Sequence, residues 1–211
     1  MQTRDLIETL ASDARPARGP SMLQALIGCA ALSLVYCVVA ILAVRGARPD
    51  FMGHMTWVAV KAGLSLVFAL CAFVVALRLA RPGQGVGVWG GVGLAALGAA
   101  CATAVTAAMM TAPEERMAAV TGGAFPHSVL VIPVMAIPAG AILFLWFRAQ
   151  APTRLRLAGA AAGALAGGLS AMAYALACPV DSVAFIATWY TLAIAICAGA
   201  GALVGWRALR W

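Results

Sequence analysis

Six long apolar runs, separated by short polar connections, set the pattern of this chain. They extend from Met22 to Val44, Met55 to Leu79, Val88 to Met110, Ser128 to Phe147, Leu155 to Ala177 and Val183 to Trp206. A hydrocarbon core about 30 Å thick, crossed at about 1.5 Å per residue, needs roughly 20 mainly apolar residues, so each run predicts a spanning helix. The connections carry helix-breaking and charged residues: Arg-Gly-Ala-Arg-Pro-Asp at 45–50, Arg-Pro-Gly-Gln-Gly at 81–85, Thr-Ala-Pro-Glu-Glu-Arg at 111–116 and Ala-Pro-Thr-Arg at 151–154. The fifth connection, Cys178-Pro179-Val180-Asp181-Ser182, is short enough to force the last two spans into an antiparallel hairpin. The expected fold is all-α and polytopic: a six-helix transmembrane domain over residues 22–211, preceded by an N-terminal segment over residues 1–21.

That N-terminal segment has a pattern of its own. Over residues 3–14, Leu6, Ile7, Leu10, Ala11 and Ala14 fall on one helical face and Arg4, Asp5, Glu8, Ser12 and Asp13 on the others, and the stripe ends at Arg15-Pro16. A helix this short is marginal alone in water and gains order by docking. Burying Leu6, Ile7 and Leu10 contributes roughly 4–9 kcal/mol gross, at about 1.5–3 kcal/mol each. Two occupancies fit the pattern, a groove on a partner protein or the lipid headgroups, although two acids among so few residues suit an anionic surface poorly. A cleaved signal peptide fits less well, because the first apolar run is longer than the usual h-region.

Composition agrees with a lipid solvent. The chain is 64% hydrophobic and 10% charged, where soluble domains are about 45–50% apolar and about 25% charged, and its mean hydropathy is +0.98. A net charge of +7 would suggest nucleic acid in a soluble protein, so the positions of the charges have to decide. Arg4, Arg15, Arg18, Arg78, Arg81, Arg148, Arg154, Arg156, Arg207 and Arg210 fall on one side of the six spans. Arg45, Arg48 and Arg116 fall on the other, with Asp50, Glu114, Glu115 and Asp181. Excess positive charge marks the cytoplasmic side. This distribution predicts both termini in the cytoplasm of a bacterial inner membrane, Cys178 facing the periplasm, and no direct contact with nucleic acid.

Candidate chemistry is sparse. The six cysteines show no CxxC or CxxH spacing, and all but Cys178 lie inside apolar runs, where the thiol acts as a small hydrophobe. Gly85-Val86-Gly87-Val88-Trp89-Gly90 matches GxGxxG but follows a spanning helix, with no βαβ unit to make it a nucleotide site. No paired intramembrane carboxylates, Ser-His pair or HExxH occurs, so neither an enzyme nor a cofactor is expected. Lys61 is the one long charge inside a span; it is a functional candidate in lipid or a side chain that snorkels outward to the interface. Cys178 and Asp181, with His54 and His127 on the same side, have the chemistry of a soft-metal site. No spacing brings these four together, and the readings that fit Cys178 better are a lone exposed thiol, responsive to oxidants or thiophilic metals, and plain loop structure. Glycines at 159, 163 and 167, and at 199, 201 and 205, offer flat faces for close helix packing, and Pro133 and Pro138 predict a kink in the fourth span. A small transporter or channel is the reading from another class; its polar path would have to use Lys61 and scattered Thr and Ser.

Several stretches together resemble the NrsF-type membrane anti-sigma factors. They are the opening Met-Gln-Thr-Arg-Asp-Leu-Ile-Glu-Thr-Leu-Ala-Ser-Asp-Ala-Arg-Pro, the 151–168 stretch Ala-Pro-Thr-Arg…Ala-Gly-Ala-Ala-Ala-Gly-Ala-Leu-Ala-Gly-Gly, the series Tyr174…Cys178-Pro179-x-Asp181-Ser182…Phe185…Thr188-Trp189-Tyr190, and the closing Gly205…Arg210-Trp211. The resemblance implies a six-helix inner-membrane protein whose N-terminal segment holds an extracytoplasmic-function sigma factor until a periplasmic stress signal arrives. It makes Leu6, Ile7 and Leu10 the partner-binding residues and Cys178 with Asp181 the sensor. The family pattern implies a second cysteine near the start of the fourth span, where this chain has Ser128. An intrachain disulfide is thereby in doubt, leaving metal binding, another thiol modification, an intermolecular bond or no role for Cys178.

Overall fold

The computed structural model describes residues 20–122 and 127–210, with the side chains of His127 and Ser128 left out. The N-terminal stripe of Leu6, Ile7 and Leu10 lies outside the described residues. The helices are α1 (Met22–Arg45), α2 (Met55–Leu79), α3 (Gly87–Met110), the short α4 (Arg116–Thr121), α5 (His127–Gln150), α6 (Leu155–Tyr174) and α7 (Val183–Ala208), and no strand occurs among the described residues. All but α4 are long and apolar enough to cross a membrane. The ends differ from expectation by a few residues at most. α5 runs three residues past the expected end, to Gln150, and α6 stops three residues short, at Tyr174, because the next residues tighten into turns in which Leu176 N–H bonds the Ala173 carbonyl and Ala177 N–H that of Tyr174.

Local signals explain the starts and stops. Ser21 opens α1 with a reciprocal cap: its hydroxyl accepts from Gln24 N–H at 3.3 Å while Gln24 Oε1 accepts from Ser21 N–H at 2.9 Å. Gly46, at φ 73°, closes α1 by donating its N–H to the Leu42 carbonyl at 3.0 Å, in a left-handed conformation that suits glycine. Pro133 and Pro138 sit inside α5, which continues through both. Nearby carbonyls of α5 are engaged from α1: Ser33 Oγ donates to Ala139 at 3.3 Å and Cys37 Sγ to Met135 at 3.8 Å.

α6 is the centre of the bundle and α3 its edge, with 78% and 6% of their central stretches buried respectively. Small side chains are what let the other helices approach α6 so closely. In lipid there is no hydrophobic drive between helices, and association rests on close packing. Cβ atoms added at Gly159, Gly163, Gly201 or Gly205 would run into backbone atoms of the facing helix: at Gly205, for example, one would lie 2.7 Å from Gly159 Cα and 2.7 Å from the Leu155 carbonyl. α6 and α7 thus meet backbone to backbone. Gly167 extends this seam against Cys197, and Gly168 turns the opposite face of α6 onto Ala69 of α2, where an added Cβ would lie 2.9 Å from the alanine Cβ. Gly199 does not share the seam; space around it is open. Its position, off the four-residue row of Gly201 and Gly205, turns it outward.

The antiparallel order leaves two unlike ends. One carries the connections 46–54, 111–115 and 175–182, with all four acids among the described residues; the other carries Arg78, Arg81, Arg148, Arg154, Arg156, Arg207 and Arg210.

A carboxylate latch on a buried lysine

The acidic end is organised around a single side chain. Pro179 and the tight turns after α6 lift residues 178–182 across the bundle, and Ser182 starts α7 by accepting from Phe185 N–H at 3.4 Å. Asp181 Oδ1 accepts from Arg48 Nη1 at 2.8 Å and from Lys61 Nζ at 2.9 Å; its Oδ2 lies 2.8 Å from His54 Nδ1. Lys61 is fully buried and also donates to the Cys178 carbonyl at 2.9 Å. Arg48 N–H donates to the Leu176 carbonyl at 3.2 Å. One carboxylate therefore joins the connection after α1, the start of α2 and the α6–α7 hairpin.

The electrostatics follow from this geometry. The Arg48 guanidinium, with help from Lys61, holds the Asp181 carboxyl down at about 2 against the opposing effect of burial, and the same contact raises Arg48. Asp181 is thus an ionised acceptor at neutral pH. Lys61 turns inward instead of snorkelling: it lies six residues into α2, about 9 Å along the axis at 1.5 Å per residue, within reach of the hairpin. A bare ammonium in this position is costly, and a carboxylate partner offsets the cost.

Beneath the latch sits Cys178, whose side chain is buried, not exposed as a free thiol in a loop would be. The fully buried Tyr190 phenol faces it without a well-formed hydrogen bond. Tyr190 closes a π-helical turn, Ile186–Tyr190, that interrupts α7; such turns recur at functional sites. Its ring lies 6.0 Å from that of Tyr174, whose hydroxyl accepts from Arg45 at 3.3 Å. The connection around α4 is clasped over the hairpin: Ser182 Oγ donates to the Ala119 carbonyl at 2.9 Å and Trp189 Nε1 to that of Val120 at 2.6 Å. Gly122, at φ 58°, closes α4 where a Cβ would strike Val180 Cγ1 at 2.6 Å.

Of the residues singled out from sequence, the fold brings Asp181, Lys61 and His54 together, with Cys178 directly below through its carbonyl. The His127 side chain lies outside the described residues, and among those described no group of three His, Cys, Asp or Glu is placed to hold a metal ion. Sequence reasoning passed over Arg48, counted there only as a topological charge, and over Ser182, Trp189 and Tyr190 as latch supports. One signal could have found the central pair: a lone lysine inside a span needs a counter-charge, and Asp181 is the acid of the adjoining hairpin.

Six spanning helices, welded along a glycine seam and latched at one end by a half-buried carboxylate on a buried lysine, define a polytopic α-helical membrane protein. The chain belongs to the NrsF family, described as negative regulator of sigma F, which matches residues 10–211. It is 36% identical over 216 residues to a protein of Azospira oryzae named "Probable anti-sigma-F factor NrsF", and 34% identical over 217 residues to the "Anti-sigma-F factor NrsF" of Caulobacter vibrioides, each alignment covering 100% of both chains. No solved structure matches the fold.

Proposed function

We propose that this protein is an anti-sigma factor that holds an extracytoplasmic-function sigma factor at the bacterial inner membrane and releases it when a periplasmic signal disturbs the Asp181 latch. The observation that carries the reading is the full-length relationship to two proteins whose names specify anti-sigma-F factors. The arginine end, which has no acid among its described residues, suits the cytoplasm by the positive-inside rule. α1 starts at that end, so residues 1–21 emerge there, and Leu6, Ile7 and Leu10 are the surface on which the sigma factor docks. The latch then lies in the periplasmic half, with Cys178 and Asp181 as the sensing pair.

The geometry supports a release mechanism. Asp181 ties the α6–α7 hairpin to α1 and α2, and α7 runs from the latch through the π-helical turn to the opposite end of the bundle. Any event that removes the carboxylate from Arg48 and Lys61, or modifies the thiol below them, shifts the hairpin against its neighbours. A difference of about 2.7 kcal/mol between the two states changes partner affinity roughly a hundredfold.

The test is co-purification of the detergent-solubilised protein with the sigma factor encoded beside its gene. Wild type retains the sigma factor, and the Leu6→Asp/Leu10→Asp variant inserts normally and loses it. Failure of the wild type to retain it under reducing, metal-free conditions refutes sequestration. Deleting residues 1–15 separates this reading from a transporter, whose activity would survive the deletion.

A further inference from the structure

The arginine end has more structure than a topological signal requires. Trp206, on the last turns of α7, is flanked by two guanidiniums, with Arg156 Cζ 4.9 Å and Arg210 Cζ 4.8 Å from its ring centroid. Arg154, two residues before Arg156, lies against the 81–86 connection, where a Cβ on Gly85 would be 3.5 Å from its Nη1. Next along, Gly87 adopts φ 59° over the Arg78 guanidinium, where a Cβ would fall 2.8 Å from Arg78 Cζ. These contacts form a continuous band from Arg78 through Arg154 and Arg156 to Arg210. Among the described residues none of the four has an acidic partner; the three ion pairs present all converge on Asp181.

We propose that this band is a second docking surface, for a carboxylate-rich face of the soluble protein held by residues 1–21, so that capture is bipartite; the proposal rests on the reading above. Orientation in the membrane needs positive charge of either kind, yet every basic residue described at this end is arginine, and the chain's one lysine is the buried Lys61. Arginine offers a planar fork that pairs with a carboxylate through two parallel bonds. Stacking on Trp206 holds two of these forks in place before a partner arrives. The segment that would deliver the partner is tethered beside the band: the twelve residues from Leu10 to Met22 reach about 40 Å at most when extended. A tethered partner meets the band at high effective concentration, so weak individual contacts suffice.

The test uses full-length protein in nanodiscs of phosphatidylcholine, which has no net charge, titrated with the sigma factor encoded beside the gene. Replacing three exposed ion pairs through Arg154→Gln/Arg156→Gln/Arg210→Gln weakens binding by about 3- to 140-fold and flattens its salt dependence. Lysine at the same three positions restores most of the salt dependence and only part of the affinity. Wild-type affinity and salt dependence in the glutamine variant overturn the proposal while leaving sequestration intact. If that variant instead loses only affinity for phosphatidylglycerol discs, the band is a lipid-headgroup contact, which also overturns it. If wild type binds no sigma factor, both readings fall, and the Leu6→Asp/Leu10→Asp control separates this case from loss of the band alone.

Discussion

Removing the Asp181 carboxylate tests the latch most directly. In Asp181→Ala, Lys61 stays fully buried and keeps one acceptor, the Cys178 carbonyl, while Arg48 loses its only ion pair among the described residues. Breaking a buried pair by deleting one partner costs about 3–5 kcal/mol, because the remaining charge is left uncompensated. Lys61→Met is milder: Asp181 keeps Arg48 and His54, its side chain is 15% exposed, and the loss is one charged hydrogen bond of about 1.5–3 kcal/mol. The two changes should also be coupled, since Asp181→Ala no longer strands an ammonium once Lys61 is methionine. The assay is thermal unfolding of the purified protein in detergent for wild type, both single variants and the double. At about 2–4 °C per kcal/mol for a chain of this size, Asp181→Ala lowers the midpoint by about 6–20 °C. Strict additivity in the double variant, or a loss for Lys61→Met equal to that for Asp181→Ala, refutes the latch as described.

Three further predictions follow from the same geometry. The Asp181 carboxyl is held at about 2, below its unfolded value of about 3.9, so its stabilising contribution is complete above about pH 4 and is lost as pH falls towards 2; unfolding midpoints across that range should fall more steeply for wild type than for Asp181→Asn. Gly163→Ala places a Cβ on the Cys197 carbonyl and should destabilise by at least the roughly 1–3 kcal/mol of an overpacked core. Gly199→Ala, in open space, should be neutral or gain up to about 1 kcal/mol, and equal melting of the two variants would refute the seam. In a protein whose sole thiol is Cys178, a membrane-impermeant maleimide should react slowly with wild type, where the side chain is buried, and at least about tenfold faster with Asp181→Ala, whose opening equilibrium is higher; equal rates would separate thiol access from the latch.

Much of the architecture is legible in the residues because lipid enforces a simple rule: an apolar run of sufficient length has to satisfy its backbone internally, as a helix. All six spans follow from that rule, including α3, whose face is almost entirely outside the bundle. The seam between α6 and α7 is legible in part. Glycines repeating every four residues on both helices announce close approach, and the spacing sets Gly199 off the row of Gly201 and Gly205, but it does not reveal that the two rows face each other. The latch is less legible. Cys178 and Asp181 stand out as polar residues in a very short hairpin, yet the sequence places Lys61 and Arg48 more than a hundred residues away, in other elements. Only when α2 packs against α6 does the lysine face the hairpin instead of the lipid headgroups.

The sequence by itself therefore determines how many times the chain crosses the membrane, where each spanning helix starts and stops to within a few residues, which end gathers positive charge, and which family the chain resembles. Those properties depend on local hydropathy, capping and turn chemistry, or on charge summed over short connections. The tertiary structure alone decides that Asp181 is shared by Arg48, Lys61 and His54, that the buried Cys178 thiol lies beneath them, and that Arg156 comes to Trp206 from another helix. The physical reason is range. A charge buried in a bundle has to find its counter-charge within about 3 Å, and which side chain arrives there is set by the rotation and depth of packed helices, quantities that no local pattern encodes.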